Sequence, residues 1–269
     1  MRKRISQIFG KIAGTAFPKF MQDFINSNYV KYFKIDMSEF KRPQDYESLT
    51  ALFTRELVIM RKFDEAKEVL ISPSDGLCLE CGISNLRKAI SIKGHEYSIT
   101  ELLDSALSEE DAGRQEEFVY ANIYLSPRDY HRYHAPCDIE ILSALYVPGD
   151  LYSVSVKALE KVENLYALNE RVVLKCRISN KKIVWLVFVG ALNVGKMKFI
   201  FDNRIQTNAM ASFVQSYEYE NLSVRKGELL GYFELGSTIV IVGEKDSLEL
   251  NLFNSKVLKF GESVGIIKA

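Results

Sequence analysis

The sequence predicts an α+β protein, a β-rich sandwich or partly closed barrel behind a helical N-terminal region. Two observations carry this. Apolar residues in 1–68 fall at helical spacing, with breaks at Pro18 and Pro43. From residue 69 on, short runs rich in β-branched and aromatic residues alternate with Gly, Pro, Asn and Asp. The chain of 269 residues is long enough for one large domain or two small ones. It is read as a helical region, 1–68, and a β-rich core, 69–269, with no clear linker, repeat or low-complexity tract between them.

The first element is a basic amphipathic segment. Arg2, Lys3, Arg4, Lys11 and Lys19 precede the first acid, Asp23, and Ile5, Ile8, Phe9, Ile12, Ala13, Ala16, Phe17 and Phe20 recur near helical spacing. Such a helix lies on an anionic membrane surface or packs on its own domain. Gly10 and Lys11 interrupt what would be the apolar core of a secretory signal. Next, 48–60 (SLTALFTRELVIM) reads as a helix capped by Ser48, and 100–107 as a helix capped by Thr100. Strands are predicted over 117–125, 139–147, 171–178, 183–189, 196–201 and 238–242. The longest apolar run, 183–192, is half of what a membrane-spanning helix needs, about 20 residues, and reads as a buried strand.

Thirty-five basic residues balance thirty-five acidic ones, which excludes a general nucleic-acid binder. Cys78, Cys81, Cys137 and Cys176 are too few for a disulfide scaffold, and their spacing lacks the second pair a zinc site needs. They read as structural thiols. No metal site is assigned.

Chemistry concentrates in three places. Two of the three histidines stand in Asp129-Tyr130-His131-Arg132-Tyr133-His134, just after a predicted strand. Imidazole is the side chain suited to proton transfer near neutrality. Gly236-Ser237-Thr238 opens a β-branched strand, and a serine after glycine on a strained turn can attack the preceding carbonyl, given a base and oxyanion donors. Ser72-Pro73-Ser74-Asp75-Gly76 is a turn whose Asp75 can orient a histidine. Each alone is weak, but Asp, His and Ser together make a triad-like device.

The ordered set resembles the phosphatidylserine decarboxylase proenzymes of the shorter bacterial type. It comprises Phe53-Thr54-Arg55-Glu56-Leu57, the 72–76 turn, the 129–136 loop, 147–154 (VPGDLYSV), Lys226-Gly227-Glu228 and 231–238 (GYFELGST). The resemblance implies self-cleavage between Gly236 and Ser237 into a large chain, 1–236, and a small one, 237–269, that stay associated. It implies a pyruvoyl group made from Ser237, which forms a Schiff base with phosphatidylserine and releases phosphatidylethanolamine. By position, Asp75, His134 and Ser237 match the self-cleavage triad, His131 serves decarboxylation and Asp129 supports the loop. A lipid substrate favours the membrane reading of the N-terminus, as a peripheral protein on the cytoplasmic face. Oligomeric state is not fixed by sequence, and a homodimer stays open. The competing classes are a barrel-sandwich carrier or phosphocarrier, suggested by 224–231, and a Ser-His-Asp hydrolase that keeps Ser237 intact.

Overall fold

The computed structural model describes residues 8, 10–85, 90–92, 95–114, 117–154, 156–159, 161, 162, 164–191, 196–207, 213–234 and 237–269. Arg2, Lys3, Arg4 and Gly236 lie outside the described residues. The helices are α1 (Lys19–Phe33), α2 (Leu49–Phe53), α3 (Ile99–Leu103), α4 (Glu109–Arg114), α5 (Val156–Leu159) and α6 (Leu165–Leu168). The strands are β1 (Val69–Ile71), β2 (Gly76–Asn85), β3 (Ile90–Ile92), β4 (His95–Tyr97), β5 (Glu117–Leu125), β6 (Arg132–His134), β7 (Ile139–Val147), β8 (Arg171–Arg177), β9 (Ile183–Val189), β10 (Met197–Phe199), β11 (Gln215–Val224), β12 (Leu229–Phe233), β13 (Ser237–Glu244), β14 (Leu248–Leu250), β15 (Val257–Leu258) and β16 (Ser263–Ile267).

The fold is α+β and sandwich-like. Its main sheet is open, in the order β11-β7-β8-β9-β13-β5-β2-β15, so of the two predicted architectures the described residues form the sandwich. Two three-stranded sheets, β1-β16-β14 and β10-β12-β6, cover one face. Ile239 and Ile241 of β13 pack there with Tyr133, Phe188, Phe199 and Phe233. Val240 and Val242 point to the other face, into a second core roofed by Ile99, Leu102 and Leu103 of α3 and by Leu165 and Tyr166 of α6. This alternation is the period of two that a strand imposes. Buried on both faces, β13 reads as an unbroken apolar run after Thr238, and it pairs antiparallel with β5 and β9.

Three sequence expectations need correction. The helix expected over 48–60 stops at Phe53, because Thr54, Arg55 and Glu56 turn away to contact the 128–132 loop. Ser48 caps it as expected, accepting from Ala51 N–H. The helix expected over 100–107 is capped by Ser98, not Thr100, and tightens into a 3-10 turn over Asp104–Ala106. The strand expected over 196–201 is only Met197–Phe199.

Helix α1 mixes its faces: its inward side has half-buried Tyr29 and Phe33 as well as two amides. Its inward face carries Gln22 and Asn26, both buried. Gln22 Nε2 donates to Asn26 Oδ1 at 2.8 Å, and Asn26 Nδ2 lies 2.9 Å from both Pro43 O and Tyr46 O. Its outward face carries Phe20 and Phe24, 79% and 70% exposed.

Candidate active site

The site is built from the 126–134 loop, the 72–76 turn, the turn at Gly227 with β12 after it, the head of β13 at Ser237 and the Lys259–Phe260 turn. The loop opens where β5 ends. Leu125 is the antiparallel partner of Ser237. Asp129 then closes a turn, its Oδ2 accepting from Ser126 N–H and Oγ–H, each at 2.7 Å. Burial nonetheless raises the Asp129 pKa. On the far side, Phe233 N–H donates to His131 O at 3.0 Å, four residues before Ser237. β5, the antiparallel partner of β13, thus leads from beside Ser237 into the His131 loop.

His131 is completely buried. Its Nδ1–H donates to Asp129 O at 2.8 Å, which leaves Nε2 as the lone-pair nitrogen, and that atom has no partner among the described residues. The Phe53 ring lies 3.9 Å from it, centroid to centroid. Burial, and then the Arg55 charge, lower its pKa to about 3. Ser237 is also completely buried, and its Oγ has no partner among the described residues.

His134 sits on the opposite face of β6 from Tyr133. Its Nδ1–H donates to Gly227 O at 2.8 Å and its Nε2 accepts from Tyr130 Oη–H at 3.0 Å. Gly227 has φ +78°, and a Cβ there would strike the Phe63 ring, so the turn that presents this carbonyl requires glycine. Phe260 stacks on the imidazole at 3.9 Å, with 21° between the planes. Burial lowers the His134 pKa to about 4, so both imidazoles are uncharged at neutral pH.

Asp75 is buried and ionised. Burial opposes its charge, but Arg61, the Phe260 N–H at 2.8 Å and Lys259 Nζ at 3.1 Å hold its pKa below the usual value. Arg61 also pairs with Glu39, at 2.7 Å. Asp75 thus meets His134 by way of Phe260, its backbone on the carboxylate and its ring on the imidazole, and not by a direct hydrogen bond. Ser74 Oγ, 2.6 Å from Tyr130 O and 3.0 Å from Arg132 O, fixes the turn on the loop.

The structure therefore brings Asp75, Asp129, His131 and His134 into one buried neighbourhood, while Ser237, also buried, is tied to it through the strand pairing of β13 with β5. In this conformation no hydrogen-bonded Asp75–His134–Ser237 relay is formed. Sequence reasoning missed Tyr130, Arg61, Lys259 and Phe260 as partners. Tyr130 lies inside the histidine loop and was legible as a candidate. Arg61, Lys259 and Phe260 carry no local pattern. Cys78, Cys137 and Cys176 are buried, Cys81 is half-buried, and all four are free thiols.

The reactive groups of this region are a buried, unpartnered serine hydroxyl at the head of a central strand and two buried, uncharged imidazoles on the loop that follows the strand paired with it. The comparisons give the family. Residues 49–266 match the family model of phosphatidylserine decarboxylase, and the chain belongs to that family. It is 56% identical over 266 residues to the phosphatidylserine decarboxylase proenzyme of Campylobacter jejuni, covering 97% of this chain and 98% of that protein. The Helicobacter pylori proenzyme is 47% identical over 262 residues, covering 97% and 96%. That of Brevibacillus brevis is 33% identical over 276 residues, covering 98% and 94%.

Proposed function

We propose that this chain is a proenzyme that cuts itself between Gly236 and Ser237 and then decarboxylates phosphatidylserine to phosphatidylethanolamine. One observation carries the assignment to Ser237: in a member of this family, its Oγ is wholly buried and unpartnered at the head of the central strand. A buried hydroxyl without a partner costs about 1–3 kcal/mol, and its removal by processing forfeits no hydrogen bond of the fold. The residues therefore fit a pyruvoyl group at 237.

Ser237 Oγ attacks the Gly236 carbonyl. Its proton passes to an imidazole nitrogen, a C–O ester bond forms, and the peptide C–N bond breaks as the nitrogen takes up a proton. An uncharged imidazole is the form that can accept that proton, and burial keeps both His131 and His134 uncharged. Elimination of the ester frees the Gly236 carboxylate and leaves a dehydroalanine, whose hydrolysis with loss of ammonia gives the pyruvoyl group. That group supplies the carbonyl that accepts the electron pair left when carbon dioxide departs. His134 serves self-cleavage once Tyr130 Oη gives up Nε2. Asp75 orients it through Phe260. His131, tied at Nδ1, holds and returns the proton of the decarboxylation step at Nε2. Its open nitrogen favours one second reading, in which His131 is the base for cleavage.

After the cut, β13–β16 belong to the small chain. Pairing of β13 with β5 and β9, β16 with β1 and β15 with β2 supports its staying bound.

The lipid substrate requires membrane contact, and no described helix is long and apolar enough to cross a membrane. The exposed Phe20, Phe24 and Tyr32 of α1 and the exposed Val58, Ile59 and Met60 support a peripheral contact made by these side chains, with Lys11 and Lys19 nearby in sequence. The cytoplasmic leaflet is the proposed surface.

The denatured mass of the purified protein tests the core of this reading. Two chains split after Gly236, the smaller without a free amino terminus, support it, and one unbroken chain that still labels with a fluorophosphonate replaces it with a hydrolase.

A further inference from the structure

Four consecutive residues grip the histidine loop. The Phe53 ring packs on His131 at 3.9 Å. Thr54 O accepts from Arg132 Nε at 2.9 Å. Arg55 Nη2 donates to Arg128 O at 2.7 Å and to Asp129 O at 2.9 Å. Glu56 pairs with Arg132 at 2.7 Å. Of these contacts, Arg55 makes the one that bears on the reacting nitrogen. The Asp129 carbonyl it holds is the same oxygen that receives His131 Nδ1–H.

Arg55 is a costly residue for mere scaffolding. It is 2% exposed, its guanidinium lies 4.6 Å over the Phe40 ring, and its Nε and Nη1 have no partner among the described residues. A buried cation so poorly satisfied is expensive, and a leucine or methionine would fill the space more cheaply.

We propose that Arg55 is a positioning residue for His131: it pins the Asp129 carbonyl that fixes the imidazole as its Nδ1–H form. The inference rests on His131 being a reacting group, in either of the roles above. The charged groups acting on His131 are Arg55, which disfavours its protonation, and Asp75, which favours it. Burial is the largest influence on it and Arg55 the next, and both outweigh Asp75.

The test uses Arg55→Gln and Arg55→Lys in the full chain, checked for folding by thermal melting. The imidazole nitrogen resonances of a chain with three histidines are assigned by their loss in His131→Asn and His134→Asn. In the parent protein His131 stays a neutral Nδ1–H tautomer down to the acid limit of the fold. In Arg55→Gln its titration midpoint rises by about one pH unit or more. The acid limb of kcat moves the same way, and kcat falls on the order of 10²-fold with little change in KM. Arg55→Lys restores the low midpoint, because the charge is kept, but only part of kcat, because one ammonium cannot reproduce the planar guanidinium. An unchanged tautomer and midpoint in Arg55→Gln overturn the proposal, and if that variant does not fold, an Arg55→Lys protein with full kcat overturns it. A His131→Asn protein that still cleaves and turns over lipid would refute the role of His131, while the resonance measurement would still judge Arg55.

Discussion

Around the histidine loop, two imidazoles, the Asp75 carboxylate, the Arg55 guanidinium and the Ser237 hydroxyl are buried. Along α1, Phe20, Phe24 and Tyr32 face outward while Gln22 and Asn26 face in. The two regions break the usual partition in opposite directions. A buried unpartnered polar group costs about 1–3 kcal/mol, and an exposed phenylalanine forgoes about 1.5–3 kcal/mol of burial. Stability alone favours neither. On the proposed reading the difference separates a buried region whose orphaned atoms a covalent change would use from an outer face that a membrane would cover.

The sharpest way to break this comparison is Ser237→Ala. It removes the proposed nucleophile, so mass spectrometry should find one chain of 269 residues, and lipid turnover should fall below detection. The same change deletes a buried hydroxyl without a partner. Against an uncleaved parent chain it should therefore raise stability by about 1 kcal/mol, seen as a higher Tm. Cleavage in this variant would place the nucleophile elsewhere.

Next in size are the two histidines. His134→Asn should slow self-cleavage on the order of 10²–10⁴-fold. His131→Asn should cleave yet lose turnover by a similar factor. Following band conversion and carbon dioxide release separately tells the steps apart. The reverse pattern would give His131 the cleavage role that its open Nε2 allows.

On the outer region the expected effect is smaller. Phe20→Ser with Phe24→Ser should weaken sedimentation with phosphatidylserine-containing vesicles at least about tenfold, since two apolar rings no longer insert. Cleavage and melting should stay as in the parent, because neither ring is buried. Charge reversal at Lys11 and Lys19 should weaken binding less, by roughly 1 kcal/mol per lysine, and high salt should mimic it. Unaltered binding in the phenylalanine pair would return α1 to a purely structural role.

How much of this was legible in the sequence follows from how local each signal is. β13 announced itself, because an unbroken β-branched run has few other places to go than between two strands. The histidine loop was legible because its residues are adjacent in the chain. The exposure of Phe20 and Phe24 on α1 was not legible, because periodicity shows that a helix has two faces but not which one the domain covers. The 48–60 segment misled for a related reason. Its apolar spacing continues past Phe53, yet tertiary contacts of Thr54, Arg55 and Glu56 with the loop override that local preference. Arg61, Lys259 and Phe260 reach Asp75 from distant parts of the chain, and no single sequence encodes that closeness in a readable spacing.

A last effect concerns the inner region alone, and its sign can be fixed in advance. His134 has a folded pKa of about 4 against an ordinary 6.5, and His131 about 3. Between those limits the unfolded chain binds more protons than the native one, so stability rises with pH. It is complete above about 6.5 and falls as the solution is acidified, by up to about 1.4 kcal/mol per pH unit for each imidazole. Asp75, whose pKa is lowered, adds a loss of the same sign only below its ordinary 3.8. Asp129, whose pKa is raised, works the other way as it takes up its proton. The measurement is urea unfolding from pH 7.5 to 4.5 in the Ser237→Ala background, where a single uncleaved chain unfolds. Adding His134→Asn should remove one proton's worth of slope and leave a visibly flatter profile. Equal slopes would mean that His134 is protonated in the native chain, in which case its Nε2 could not accept from Tyr130 and could not serve as the base that frees Ser237.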